Sequence, residues 1–193
     1  MAGNIGRIYN VSTDEEKFIV PYQRNPHFKG RSDLLTKLHS KLCETLPDQY
    51  NHRVALFGLG GVGKTQLALE YVYQHWESQM YERVYWVSAV NQATLFSGLQ
   101  EIGLRTHCVP DNTDLKPLDI AAKVLRWLNA QEKWLLILDN LDDVTVVDGY
   151  LPDTAPERHT IITTRNRHCD DIPSEGLEVG VLGITEATQL LLK

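Results

Sequence analysis

One stretch limits what this chain can fold into: Gly58-Leu59-Gly60-Gly61-Val62-Gly63-Lys64-Thr65, which fits the pattern G-x-x-x-x-G-K-[ST]. Its glycines let a backbone curl until several N–H groups converge on one point, a geometry that side chains would obstruct. The flanks matter as much as the glycines. RVALFG (53–58) is a short apolar run of strand type, and KTQLALEYVYQHWE (64–77) places Leu67, Ala68, Tyr71, Val72 and His75 on one helical face. A strand that feeds a glycine turn into a helix aims free N–H groups and the positive dipole end at the same place, which suits a polyphosphate. Lys64 is then expected to reach the β- and γ-phosphates, the Thr65 hydroxyl to ligate Mg²⁺, and Gln66 to add a donor in the first turn. A glycine-rich turn that matches by chance is the plainer account, and the strand–turn–helix context argues against it.

From residue 53 onward the pattern alternates. Strands are expected at 83–89, 133–140 and 159–165, with a weaker one at 177–182; helices are expected at 92–105 and 117–131. Ahead of the glycine turn, Ser32 and Asp33 supply N-cap chemistry to a helix carrying Leu34, Leu35, Leu38 and Leu42, which Pro47 stops. A last helix is expected to open at Thr185-Glu186 and to reach Lys193 without a cap, as in a chain cut before its next element. Such alternation implies a three-layer α/β fold: a mainly parallel, roughly five-stranded sheet flanked by helices. Residues 1–20, with the acidic cluster Asp14-Glu15-Glu16, read as a poorly ordered leader.

Two strand ends carry further chemistry. Leu135-Leu136-Ile137-Leu138-Asp139 sets an acid at the C-terminal end of a buried strand, the edge where open α/β sheets bind ligands. A carboxylate there can hold Mg²⁺, usually through its waters; a turn or capping aspartate is the alternative. Ile161-Ile162-Thr163-Thr164-Arg165 ends in a cation. Should its strand neighbour the one feeding the glycine turn, Arg165 could pair with a γ-phosphate, the alternative being a surface arginine.

Charge excludes some classes. A net charge of −6 will not gather phosphate backbones, so nucleic acid is not expected as a partner. No segment approaches the apolar length of a membrane helix, and the N-terminus lacks the apolar run of a secretory signal. Cys43, Cys108 and Cys169 lie apart, as expected of reduced thiols, and a cytoplasmic location follows as the expectation.

FKGR (28–31), GLGGVGKTQLALEY (58–71), VYWVSA (84–89), LLILDN (135–140) and IITTR (161–165) stand in the order found in NB-ARC domains. The chain therefore resembles that family, part of the STAND class of P-loop NTPases, and most of all its fungal NOD-like receptor branch. The resemblance covers about residues 20–193. It implies an ATP- or ADP-binding molecular switch with Mg²⁺ and slow hydrolysis, acting in innate-immunity or cell-death signalling. By position it implies that Phe28, Gly30 and Arg31 lie along adenine and ribose. Gly58, Gly60, Gly61, Val62, Gly63, Lys64, Thr65 and Gln66 would cradle the phosphates, Asp139 would bind Mg²⁺, and Arg165 would sense the terminal phosphate. Protein partners would be homotypic or receptor-like. Domain limits follow as a leader at 1–20, a nucleotide-binding domain at 21–182 and the opening of a helical subdomain at 183–193.

One departure stands out. Many relatives carry a second acid after the magnesium aspartate; here it is Asn140, whose amide can orient water but cannot accept its proton, so hydrolysis is expected to be slow. Asp142 and Asp143 could substitute, though a solvated loop is the expectation. Two other functions stay open: a truncated, non-hydrolysing ADP-binding interaction module, and a small P-loop kinase, which would need an arginine-rich lid beyond Arg165 and Arg167. His168-Cys169-Asp170-Asp171 lacks a second ligand pair for zinc, and Asp111-Asn112-Thr113-Asp114 lacks a calcium loop's glycine and glutamate. Trp86, Trp127 and Trp134 sit inside apolar patterns and are expected as core or helix-packing residues.

Overall fold

A computed structural model describes residues 15–47, 50–111, 114–167 and 172–181. The expected helix after Thr185 and the 168–171 cluster lie outside the described residues. Six strands form one sheet: β1 (Phe18–Ile19), β2 (Arg53–Phe57), β3 (Arg83–Ser88), β4 (Trp134–Asp139), β5 (Arg158–Thr164) and β6 (Glu175–Glu178). Helices accompany them among the described residues: α1 (Ser32–Cys43), α2 (Lys64–Glu77), α3 (Gln92–Arg105) and α4 (Pro117–Asn129), with a 3₁₀ turn at Val144–Val147. The strand order is β1-β3-β4-β5-β2-β6, and every pairing is parallel.

Burial on both faces explains why the strands read as unbroken apolar runs. In β4, Trp134, Leu136 and Leu138 enter one core, while Leu135 and Ile137 enter the other. β3 repeats the alternation, with Tyr85 and Val87 on the first side and Val84 and Trp86 on the second. The first core is closed by α3 and α4 through Leu95, Leu99, Ile102, Val124 and Leu128, and the second by α1 and α2 through Leu38, Leu42, Leu67, Tyr71 and Val72. Each such side chain contributes about 1.5–3 kcal/mol of burial. Local signals agree with the packing: Asn91 and Thr94 form a reciprocal capping box at α3, and Pro117 opens α4, where a missing N–H costs nothing.

The mainly parallel sheet flanked by helices is as expected, and two details differ. The sheet has six strands rather than about five, because Phe18–Ile19, within the stretch read as a leader, pairs with Val84 and Tyr85. Ile19 is buried, and the Phe18 ring lies 4.8 Å from that of Trp76. A two-residue strand carries no periodicity to detect. Also, Ser32 is the first residue of α1 and not its cap; the cap is Arg31, in the left-handed region at φ 58°.

Beneath the α1–α2 side runs a partly buried polar seam whose proton positions follow from two carbonyls. His159 Nε2 donates to Pro156 O at 2.9 Å, which leaves Nδ1 to accept from the Tyr81 hydroxyl at 2.7 Å. The Tyr81 oxygen then accepts from Tyr71, 3.3 Å away. His75 Nδ1 donates to Tyr71 O at 2.9 Å, so its Nε2 accepts from His39 Nδ1 at 3.1 Å. His52 stacks on His159 with ring centres 5.6 Å apart. Burial pushes His159 down to about 4, with the Pro156 carbonyl opposing it and the neighbouring histidines adding to it. The unfolded chain, with histidine near 6.5, therefore binds more protons than the folded one between pH 6.5 and 4. Stability should fall as pH drops through that window, by about 3 kcal/mol for this residue. Urea denaturation against pH should show that slope, and His159→Gln should flatten it; an unchanged slope in the variant would contradict the assignment.

Candidate functional site

Parallel strands place all their C-terminal ends on one edge, and the order β4-β5-β2-β6 brings four of those ends together. β2 runs directly into the glycine turn and α2. Gly63 caps α2 at φ 93°, and Gly61 holds φ 79°, both left-handed values that favour glycine. Gly58 is required for a different reason. At φ 151°, a side-chain carbon there would collide with the Val179 carbonyl oxygen, just after β6. The first-turn N–H groups of α2 have no intrahelical acceptor and open toward the turn.

Lys64, 7% exposed, donates from Nζ to the carbonyls of Gly58 and Leu59, each at 2.9 Å. Burial pulls its pKa below the ordinary lysine range; Arg165 acts in the same direction, while Asp142 and Asp139 oppose. Asp139 continues the Leu135/Ile137 face of β4, the face that α2 covers. Its Oδ1 accepts from Thr65 Oγ1 at 3.0 Å and from Thr163 Oγ1 at 2.6 Å, although β5 stands between β4 and β2. Thr163 is the bridge, since its oxygen also accepts the Asn140 N–H at 2.9 Å. Asn140 has φ 61° and turns its amide to within 3.4 Å of Asp139 Oδ2.

The donor set fits Mg²⁺. Asp139 is 2% exposed, and among the described residues no cation pairs with it directly, so a buried carboxylate sits beside a hydroxyl with only a long amide contact on Oδ2. No group of three or more His, Cys, Asp or Glu side chains converges among the described residues.

β5 does neighbour β2, with Thr164 opposite Phe57, so the condition attached to Arg165 is met. Its stem passes over the turn: a methyl at Gly60 would lie 3.8 Å from Arg165 Cδ. Arg165 is paired with Asp142, through Nε at 2.6 Å and Nη2 at 2.5 Å. Asp142 is therefore no solvated acid, whereas Asp143 is exposed and binds the N–H and hydroxyl of Thr145.

Phe28, Gly30 and Arg31 arrive from the far side of α2. Residues 22–25 run along a polar stripe of that helix toward its N-terminus. Tyr73 donates to Tyr22 O at 2.8 Å, Arg24 pairs with Glu70 and Glu77 at 2.8 Å each, and Asn25 Nδ2 donates to Gln66 Oε1 at 3.2 Å. Arg31 Nη2 then donates to Gly180 O at 2.9 Å. The 28–31 segment thus meets the chain leaving β6, next to Gly58. The apolar pattern of α2 gave no sign of this stripe, although Glu70 is buried. Thr163 as the bridge to Asp139 and Asp142 as the partner of Arg165 were likewise not anticipated, though both belong to segments already singled out.

The described residues contain no helix long and apolar enough to cross a membrane, and Cys43 and Cys108 are free thiols. Trp86 and Trp134 are buried and Trp127 packs partly buried against the core, as expected.

The family model described as NB-ARC domain matches residues 31–193. A nucleotide-binding leucine-rich repeat (NLR)-like protein of the fungus Hyaloscypha variabilis is 36% identical over 67% of this chain and 13% of its own length. The regulatory protein AfsR of Streptomyces griseus is 30% identical over 87% of this chain and 17% of its own. A probable disease resistance protein of Arabidopsis thaliana is 28% identical over 78% and 18%. The chain thus spans less than a fifth of these curated relatives. Among solved structures, Cdc6p of Pyrobaculum aerophilum superposes with a TM-score of 0.66 at 14% identity, covering 90% of this chain and 51% of that one. A signal transduction ATPase with numerous domains (STAND) from Pyrococcus horikoshii gives 0.52 at 20% identity, covering 87% and 25%. These likenesses show the fold, a P-loop NTPase sheet.

Gly58→Ala tests the geometry independently of any ligand. Strain at positive φ and the collision with the Val179 carbonyl should cost roughly 2–4 kcal/mol, read by chemical denaturation. A variant as stable as the parent would refute the close approach of β6.

Proposed function

Because this chain belongs to the NB-ARC family, as the match over residues 31–193 establishes, we propose that it is the nucleotide-binding core of a signalling switch that takes ATP or ADP with Mg²⁺. The observation that carries the reading is the turn at 58–65. It opens between the end of β2 and the start of α2, with Lys64 held by two loop carbonyls and Thr65 joined to Asp139 across the sheet edge. In this reading the turn amides and α2 N-terminus bind the phosphates, and Lys64 exchanges two carbonyls for phosphate oxygens. Thr65 and Asp139 would hold Mg²⁺, which when bound neutralises phosphate charge. Phe28, Gly30 and Arg31 would lie along adenine and ribose, and Arg165 would meet the terminal phosphate. The nucleotide-binding domain would end near residue 182, with a helical subdomain opening at 183, and it would include the edge strand β1. Relatives described as NLR-like and as a disease resistance protein support a role in innate-immunity or cell-death signalling, which would be exercised in the cytoplasm through homotypic or receptor-type protein partners.

Asn140 favours a second reading, a module that binds ADP and turns over little. Its amide lies beside Asp139, where it can orient water without taking a proton.

Calorimetry on the 193-residue chain with ATP and ADP in Mg²⁺ should show micromolar-range binding. Lys64→Ala should weaken it by ~10–100-fold, the worth of charge-assisted bonds; unchanged affinity in that variant would end the proposal. Phosphate release should be slow, and Asn140→Asp should raise it by on the order of tenfold or more. If turnover stays absent in Asn140→Asp, the passive module is the better account.

A further inference from the structure

Asp142 lies three residues past Asp139 and grips Arg165 twice over. Its Oδ1 accepts the Arg165 main-chain N–H at 2.7 Å, and its Oδ2 accepts Nε at 2.6 Å and Nη2 at 2.5 Å. Thr164 Oγ1 adds a longer contact at 3.5 Å. One carboxylate thus fixes both the backbone at the end of β5 and the head of the side chain. Burial alone would raise the Asp142 pKa, but the bonds and charge of Arg165 outweigh it and hold the carboxyl below the usual range, ionised at neutral pH.

A guanidinium has five N–H donors in a rigid fork. The Nε–Nη2 edge is taken by Asp142, which leaves the Nη1–Nη2 edge for another anion. Arg165 is 69% exposed along its side chain, so without an anchor it would sample many rotamers. Its stem already crosses the turn at Gly60.

We propose that Asp142 is a positioning residue: it holds Arg165 by one edge so that the other meets the terminal phosphate, and it thereby sets the preference for a nucleoside triphosphate over a diphosphate. This rests on the reading of residues 58–65 as a nucleotide cradle and of Arg165 as its sensor. The opposite role, a latch that competes with phosphate for Arg165, fits the geometry less well. A competing acid need not also clasp the backbone N–H, and it would cover the outer edge of the guanidinium instead of the Nε edge.

Calorimetry with Mg-ATP and Mg-ADP on the parent chain, Asp142→Asn, Arg165→Ala and the double variant tests this, with thermal melts alongside. Asp142→Asn should weaken ATP by about tenfold while ADP stays within about twofold, and it should add nothing in the Arg165→Ala background. Asp142→Glu, which keeps the charge, should recover part of the loss. Tighter ATP binding in Asp142→Asn would establish the latch and overturn the proposal. An equal loss of ATP and ADP, or an effect that persists without Arg165, would also overturn it. If Asp142→Asn lowers the melting temperature sharply, Asp142→Ser is read by the same criteria. Arg165→Ala separates the layers: an unchanged ATP-to-ADP ratio in that variant removes the sensor reading itself, whereas a reduced ratio there with an unaltered one in Asp142→Asn removes only the positioning role.

Discussion

A carboxylate buried to 2% exposure has to find donors, and Asp139 finds them on two other elements: Thr163 on β5 and Thr65 on α2. That requirement organises the sheet edge. Thr163 can reach Asp139 only because β5 pairs with β4 in parallel, and Thr65 only because α2 starts at the end of β2, one strand further on. Thr163 also takes the Asn140 N–H, and its carbonyl takes the Leu141 N–H at 2.8 Å, so the chain leaving β4 is laced to β5 residue by residue. A cluster of this kind is strong only while every member is satisfied. Asp139 Oδ2 has the weaker satisfaction, a 3.4 Å contact from the Asn140 amide, and in the proposed function Asp139 would hold the metal.

The sheet and most of its helices were legible because burial on both faces forces near-continuous apolar strands, and the crossovers carry helical periodicity. α2 and α3 match their expected limits at 64–77 and 92–105. The glycine turn was legible for a related reason: left-handed backbone and close approach leave few residue types able to serve. What stayed hidden depends on partners far away in sequence. β1 has only two residues, and its strand character comes from β3, 66 positions away. The polar stripe on α2 looks like an ordinary solvated face until Arg24 and Asn25 are laid on it. Asp142 looks like a loop acid until β5 sets Arg165 beside it. Sequence reading finds what a residue must do locally, and it misses what a neighbouring strand brings.

Docking of residues 22–25 on α2 also explains how Phe28–Arg31 come to the cradle at all. Glu70 is buried, and burying a carboxylate without a partner would be costly. Arg24 meets it through both Nε and Nη2, and its Nη1 reaches Glu77, about two turns along. The segment is therefore pinned at a definite height on the helix, and Asn25 on Gln66 carries the pinning to the first turn. Successive left-handed residues, Gly30 and Arg31, then turn the chain into α1 next to Gly180. The 28–31 corner and the glycine turn are thus held against the same stretch after β6, because Gly58 abuts Val179.

The two cations at the edge are restrained in different ways, and the difference has a functional sense. Lys64 is held by two carbonyl dipoles, which a doubly charged phosphate oxygen set can readily outcompete. Arg165 is held by a full negative charge and by its own backbone, so it is the harder of the two to displace. Desolvation makes Lys64 cost more as a buried cation than Arg165 does at the surface, and a ligand anion relieves that cost most directly at Lys64. An arriving polyphosphate should therefore recruit the lysine by exchange and find the arginine already in place. In the proposed function, binding and discrimination would then fall to separate side chains, Lys64 for any phosphate chain and the Asp142–Arg165 pair for its length.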